Sequence, residues 1–112
     1  MKEVAYLRIS TDKQDEASQR QIIKGKYPFL SEWMSDTASG GTPWQERAIS
    51  EILNSCERGD KIIVSEISRI ARSTVGVLTF MQAAAEKGVT VDAVKSCIVL
   101  DGSTASLRWR RK

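Results

Sequence analysis

Segments of strand character alternate with segments of helical periodicity along most of the chain, and this alternation restricts the fold more than any other feature of the sequence. The strand segments are short and apolar, and each segment between them is long enough for a crossover connection. The resulting order, β-α-β-α-β-α-β, is typical of an α/β domain with a mainly parallel sheet. The strand segments are residues 3–9, 29–34, 61–65 and 89–94, and the helical segments are residues 15–27, 44–58 and 74–87.

The individual segments carry local signals of their own. Residues 61–65, Lys-Ile-Ile-Val-Ser, are the strongest strand candidate because β-branched residues dominate them. Apolar residues recur at helical spacing in segment 44–58, and Gly88 stands where a helix C-cap glycine belongs. Residues 96–100 are a weaker strand candidate. We therefore expect a sheet of four to five strands flanked by helices.

The length of 112 residues is enough for one compact domain and too short for two. We expect the folded domain over residues 1–100 and a basic, poorly ordered tail over residues 101–112, where the strand and helix patterns end. Four positive charges lie in the last five residues, and removing them from the 17 Lys and Arg leaves 13 against 14 Asp and Glu. The net charge of +3 therefore does not by itself indicate nucleic-acid binding.

Several site types and locations are excluded by composition. The absence of histidine rules out Ser-His-Asp and Cys-His catalysis and His-ligated metals. Cys56 and Cys97 lie far apart without CxxC spacing, which favours two reduced thiols acting as small apolar residues rather than a metal site. No apolar run reaches the roughly 18 residues of a membrane span, and the N-terminus lacks a signal-peptide core. We expect a cytoplasmic protein with no membrane partner.

Residues suited to phosphate chemistry stand where the predicted strands end, which is where parallel α/β sheets carry their functional loops. Tyr6, Arg8 and Ser10 alternate along the first strand, so their side chains share one face. Arg8 requires a carboxylate or phosphate partner because the strand around it is apolar. Together with Arg69 and Arg72 beyond the third strand, it would form an anion site in which a serine hydroxyl could attack phosphorus.

Each of these residues also has an ordinary structural interpretation. Ser10 could be the N-cap of the first helix, and Arg69 and Arg72 could form surface ion pairs in a solvated loop. Asp36 could open an Asx turn before the glycine pair. Only their joint placement favours a site. A binder of nucleotides or other small phosphates is a weaker interpretation, because neither GxxxxGK[ST] nor GxGxxG is present.

Three motifs follow one another along the chain. Residues 6–14 read Tyr-Leu-Arg-Ile-Ser-Thr-Asp-Lys-Gln, residues 36–40 read Asp-Thr-Ala-Ser-Gly, and residues 66–72 read Glu-Ile-Ser-Arg-Ile-Ala-Arg. In this order they resemble the opening signature, the next loop and the third block of the serine recombinases, the resolvase/invertase family. The similarity runs in register from about Val4 to Val94, which implies a resolvase-like catalytic domain.

The resemblance implies a specific chemistry. Ser10 would attack a DNA phosphodiester to give a 5′-phosphoserine link and a free 3′-hydroxyl, and strand exchange and religation would follow without ATP, an obligatory metal or another cofactor. Arg8, Arg69 and Arg72 would hold the scissile phosphate and stabilise the developing charge. The other residues that the resemblance implicates are the catalytic-site residues Gln14, Gln19 and Asp36 and the DNA-phosphate contacts Tyr6, Ser39, Arg47 and Ser68.

The same resemblance implies DNA as a partner, a homodimer, and a tetramer in the recombination synapse of the full-length protein. Two departures stand out. Ser68 occupies a position where the third block often has aspartate, and the long dimerisation helix and the DNA-binding domain that follow in most members are not among these 112 residues. The alternative interpretation is a truncated, catalytically inactive recombinase fragment that acts only in oligomerisation or DNA binding.

Overall fold

Strands and helices alternate in the order that the sequence predicts. The structure, a computed structural model, describes residues 2–9, 13–37, 48–71, 73–95, 98–100 and 109–111. The strands are β1 (Glu3–Arg8), β2 (Glu32–Asp36), β3 (Lys61–Val64), β4 (Thr90–Ala93), β5 (Ile98–Leu100) and β6 (Trp109–Arg111). The helices are α1 (Lys13–Lys26), α2 (Ala48–Ser55) and α3 (Thr74–Lys87), with a short 3₁₀ helix at Ile67–Arg69.

The strands form one sheet in the order β2-β1-β3-β4-β5-β6. β1 pairs in parallel with β2 and β3, and β3 pairs in parallel with β4. The prediction of an α/β domain with a mainly parallel sheet is therefore confirmed. β5 and β6 add two antiparallel pairings at one edge, one strand more than expected. A strand as short as β6 shows no alternation from which it could have been predicted.

Each face of the sheet has its own apolar layer, because successive side chains of a strand point to opposite faces. Tyr6 of β1 and Phe80 of α3 belong to a buried cluster that also includes residues of α2. Leu7 of β1 and Ile23 of α1 belong to a second cluster. Thus α1 covers one face while α2 and α3 cover the other. The connection from β1 to β2 runs along the sheet in one direction, and those from β2 to β3 and from β3 to β4 run in the other, so right-handed crossovers place their helices on opposite faces.

The third helix has the bounds that the sequence predicts, residues 74–87, and its two capping residues account for them. The hydroxyl of Ser73 accepts a hydrogen bond from the main-chain N–H of Gly76, which satisfies an orphan donor of the first turn. Gly88 ends the helix in the left-handed region at φ 76°, and its N–H bonds back to the last turn. No helix in the described part of the chain is long and apolar enough to cross a membrane.

The second strand lies later in the chain than predicted. Residues 29–34 were expected as the strand, but Phe29 is 96% exposed and lies in a turn, and β2 begins at Glu32. The prediction was wrong here because an apolar residue was taken as a sign of burial. Asp36, expected as the first residue of the glycine loop, is instead the last residue of β2.

The second helix ends at Ser55, earlier than the predicted end at residue 58. The Nζ of Lys87 donates hydrogen bonds to the main-chain oxygens of Leu53 (2.9 Å) and Asn54 (3.1 Å). A lysine from α3 thus satisfies carbonyls at the C-terminus of α2, where the helix dipole also favours a cation. The predicted start of this helix, residues 44–47, lies outside the described residues.

Cys56 follows α2 and is a free, buried thiol in the larger core cluster, as expected of a small apolar residue. Burial raises the pKa of the Cys56 thiol, with a further contribution from the nearby Asp60 carboxylate. Cys97 lies outside the described residues.

Candidate active site

The sheet order places a topological switch point at the carboxyl ends of β1 and β3. From β1 the chain passes through α1 to β2 on one side, whereas from β3, on the other side of β1, it passes through α3 to β4. Adjacent parallel strands whose connections leave in opposite directions form the switch point at which α/β sheets bind ligands. Arg8 ends β1, and the segment from Ser65 to Arg69 follows β3. Arg8 and Arg69, which were predicted to bind phosphate, therefore both lie at this switch point.

Arg8 is half-buried at the last position of β1, in register with Asp36 of the parallel strand β2. Its main-chain oxygen accepts a hydrogen bond of 3.1 Å from Nε2 of Gln19. Gln19 is 1% exposed on α1, and the same Nε2 also lies 3.1 Å from Oδ2 of Asp15, one helical turn earlier. A buried amide therefore connects the end of β1 to the first turns of α1.

Arg69 is held by a carboxylate that the sequence analysis did not single out. Its NH2 donates to Oδ1 of Asp15 at 2.8 Å and its NH1 donates to Oδ2 at 3.2 Å, a two-pronged ion pair across 54 positions of sequence. The Nε of Arg69 also lies 3.7 Å from Oε1 of Glu66. Charge-assisted bonds of this two-pronged kind fix a guanidinium in direction as well as in place.

The residues Gln19, Asp15 and Arg69 thus form one continuous chain of hydrogen bonds that starts at the carbonyl of Arg8. The structure brings together three of the predicted site residues through this chain. Asp15 is the member that sequence reasoning missed. Its spacing of four from Gln19 on a helix was the available signal, because residues so spaced share a face.

Tyr6 of β1 and Asp36 of β2 form a hydrogen-bonded pair next to Arg8. Tyr6 is fully buried, and its hydroxyl donates to Oδ2 of Asp36 at 2.9 Å. The same Oδ2 accepts from the main-chain N–H of Ala48 at 3.0 Å, which ties the end of β2 to the start of α2. Tyr6 is positioned to support Asp36, and its direct contact with a DNA phosphate stays a prediction.

Ser68 lies in the 3₁₀ helix and is exposed, with its hydroxyl donating to Oε1 of Glu66 at 2.9 Å. Glu66 also lies 3.7 Å from Nζ of Lys95. The residue type at position 68 therefore does not leave Arg69 without negative charge beside it, because Asp15 and Glu66 both supply a carboxylate there.

Of the remaining predicted site residues, only Gln14 lies in the described part of the chain. Gln14 is exposed in the first turn of α1. Four predicted residues lie outside the described part of the chain, so their roles stay predictions: Ser10, Ser39, Arg47 and Arg72. Among the described residues, no group of three Asp, Glu or Cys side chains is arranged to hold a metal ion.

The arrangement is suited to an anion. Arg8 ends β1 and Arg69 lies in the segment after the neighbouring parallel strand β3, and both residues are half-buried. Planar arginine donors match the geometry of phosphate oxygens.

Comparisons with known proteins agree with this architecture. The chain is 25% identical over 92 residues to a resolvase from Clostridium perfringens, with 82% of this chain and 48% of that protein covered. A resolvase from Clostridium perfringens strain 13 / Type A matches with the same values. The chain thus spans about half the length of the curated relatives that it matches.

Two solved structures share the fold. A serine recombinase from Sulfolobus solfataricus superposes with a TM-score of 0.62 at 18% identity, over 81% of this chain and 66% of that one. The first open reading frame of transposon ISC1904 from Sulfolobus solfataricus P2 gives a TM-score of 0.63 at 18% identity, over 82% and 66%. The family described as "Resolvase, N terminal domain" matches residues 3–108. With nearly the whole chain inside that match, the protein belongs to the resolvase N-terminal domain family, as its three motifs had indicated.

Proposed function

We propose that this chain is the catalytic domain of a DNA recombinase that cleaves and rejoins strands through a covalent serine intermediate, in the cytoplasm and as part of a homo-oligomer. The Ser10 oxygen attacks the scissile phosphorus, a Ser–O–P bond forms, and the bond from phosphorus to the 3′ oxygen breaks. The serine proton is transferred to the 3′ oxygen, which leaves as a hydroxyl. Rejoining reverses these steps with a new 3′-hydroxyl, so the number of phosphodiester bonds is conserved and no external energy source is needed.

One observation carries the proposal: the hydrogen-bonded chain from the Arg8 carbonyl through Gln19 and Asp15 to the Arg69 guanidinium. It fixes Arg69, in the segment after β3, relative to Arg8 at the end of β1, two residues before Ser10. Phosphoryl transfer depends mainly on positioning and on stabilising charge that spreads over phosphate oxygens. An arginine fixed beside the nucleophile's strand provides both.

The proposed roles follow from this placement. Arg8, Arg69 and Arg72 hold the scissile phosphate, and Gln14 and Gln19 support the nucleophile's loop. Asp36, fastened by Tyr6 and by the N–H of Ala48, keeps β2 and α2 in place next to Arg8. The secondary DNA-phosphate contacts proposed are Tyr6, Ser39, Arg47 and Ser68.

The proposal is tested by trapping the covalent intermediate. The longest reading frame that contains these 112 residues is incubated with end-labelled duplexes that tile the DNA surrounding its coding sequence, and the mixture is denatured. We expect labelled DNA to migrate with the protein, and peptide mass spectrometry to locate the adduct on Ser10. Ser10→Ala should abolish the adduct, whereas Ser18→Ala, at an exposed position on α1, should leave it unchanged.

Two results would contradict a serine nucleophile: an adduct that persists in Ser10→Ala, or no adduct in any duplex. Native gels of the same mixtures separate the alternative function. DNA binding without an adduct would indicate a binding or oligomerisation module that does not cleave.

A further inference from the structure

We propose that Asp15 is a positioning residue for DNA cleavage, which acts by holding the Arg69 guanidinium in place while the phosphate binds. This inference rests on the proposed function and assigns a role in it to a residue that lies outside the three motifs, residues 6–14, 36–40 and 66–72. Two observations carry it. Asp15 on α1 forms an ion pair with Arg69 in the segment after β3, and the buried amide of Gln19 donates a hydrogen bond that fixes the Asp15 carboxylate.

Arg69 needs an anchor from outside its own element. It ends a 3₁₀ helix of three residues, and so short an element imposes little order on a long side chain. An unrestrained arginine loses much rotamer freedom on binding a ligand. Within its own segment Arg69 approaches Glu66 at 3.7 Å, whereas both of its terminal nitrogens bond Asp15 at the shorter distances of 2.8 and 3.2 Å.

Asp15 is itself well fixed. It belongs to a helix of 14 residues, and its Oδ2 accepts a hydrogen bond from Gln19, which is 1% exposed and also holds the Arg8 carbonyl. The side chains of Arg69 and Asp15 are 18% and 25% exposed, so the pair is partly shielded from screening by water and salt. A rigid carboxylate therefore directs a flexible guanidinium.

The pair does not have to break when a phosphate arrives. A guanidinium has five N–H donors, and the bonds to Asp15 use two of them. The Nε of Arg69 is buried beside Glu66, so phosphate oxygens would approach the outer N–H groups of the two terminal nitrogens while both bonds to Asp15 remain in place. Asp15 thus acts through Arg69 and is not a catalytic residue itself.

Positioning makes a prediction that a structural or purely electrostatic role does not. Asp15→Asn removes a negative charge, and an added net positive charge leaves non-covalent DNA binding unchanged or tighter. Misplacement of Arg69 should nevertheless slow adduct formation, by about 10- to 100-fold. Binding and rate are thus expected to diverge.

Glu16→Gln is the matched control. Glu16 is the next residue on α1, and it pairs with Arg20 at 2.9 Å rather than with Arg69. The substitution makes the same change in net charge, and we expect the adduct rate to stay within roughly twofold of wild type, as for surface ion pairs of small effect. Asp15→Glu, which keeps a carboxylate, should recover part of the rate that Asp15→Asn loses.

Three quantities are measured for each variant: the rate of covalent adduct formation, the Kd for the same duplex from native gels, and the melting temperature. Arg69→Ala is measured alone and combined with Asp15→Asn. If Asp15 acts through Arg69, adding Asp15→Asn to Arg69→Ala should lower the rate by less than about threefold.

The outcomes separate the two proposals. A folded wild-type chain that forms no adduct overturns the proposed function, and this inference with it. A wild-type adduct with Asp15→Asn and Glu16→Gln at equal rates overturns only the positioning role of Asp15. Parallel losses of adduct, DNA binding and melting temperature in Asp15→Asn would identify a structural residue and overturn the inference as well.

Discussion

The hydroxyl of Tyr6 donates a hydrogen bond of 2.9 Å to Oδ2 of Asp36, and this bond joins the buried middle of β1 to the last residue of β2. The same carboxylate oxygen accepts the N–H of Ala48 at the start of α2. The side chain of Asp36 thus holds β1, β2 and α2 together beside Arg8. The pair was not predicted as such, because the two residues are 30 positions apart and each was considered for a role of its own.

Tyr6→Phe keeps the buried ring and removes only the hydroxyl. A hydrogen bond to a charged group contributes about 1.5–3 kcal/mol, so we expect the free energy of unfolding to fall by an amount in that range. Urea denaturation of both proteins measures the difference. Asp36→Asn and the double variant complete a thermodynamic cycle, and strictly additive effects would show that the bond does not contribute.

Two glycines are expected to respond in opposite directions to alanine. Gly88 has φ 76°, and a Cβ there would lie 2.8 Å from Cγ of Arg58. Gly88→Ala should therefore lower the free energy of unfolding by about 1–2 kcal/mol. Gly25, in α1, has no atom within 4 Å of an added Cβ, and Gly25→Ala should raise stability by about 0.5–1 kcal/mol. Thermal unfolding compares the two variants, and equal shifts would contradict the assignment of Gly88 as a left-handed cap.

The parts of the fold that were predictable are those with local causes. α3 has its N-cap, its periodic apolar residues and its terminal Gly88 within one stretch of sequence, and its bounds follow from them. β3 is likewise a run of β-branched residues. The ion pair of Asp15 with Arg69 was not predictable in this way, because it depends on how α1 packs beside the segment after β3, 54 positions later.

The same distinction between local sequence signals and long-range packing applies to the candidate site. Arg8, Gln19 and Arg69 were identified from motifs, and the structure connects them. Their connector, Asp15, is an acidic residue in the first turn of a helix, where a carboxylate is ordinary for its interaction with the helix dipole. Its contact with Arg69 is visible only in three dimensions.

Two phenylalanines provide a test of which apolar residues stabilise the core. Phe80 of α3 is fully buried in the larger core cluster, whereas Phe29 is 96% exposed. Phe80→Ala should lower the free energy of unfolding by about 3–5 kcal/mol. Phe29→Ala should change it by less than about 0.5 kcal/mol. Chemical denaturation measures both, and a comparable loss for Phe29→Ala would mean that the turn before β2 is packed.

Asp60 should make the fold sensitive to acid. The main-chain N–H groups of Glu57 (2.9 Å) and Lys2 (3.0 Å) donate to its carboxylate and hold the pKa of the Asp60 carboxyl below its usual value. A group whose pKa is lower in the folded state stabilises the fold above its unfolded pKa, about 3.9 for aspartate, and this contribution is lost as the pH falls through the folded value.

Asp60→Ala is therefore expected to lower the melting temperature at pH 7 and to make its decline below about pH 4 shallower than in wild type. The control is Glu57→Gln, because Glu57 is exposed and donates to Asp60 only through its main chain, so the acid dependence should remain that of wild type. If Asp60→Ala and wild type lost stability in parallel through the acid range, protonation of another carboxylate would have to account for the acid sensitivity. The two donors join the start of β1 to the turn before β3, so the loss at neutral pH should come from loosening at the end of the sheet opposite the candidate site.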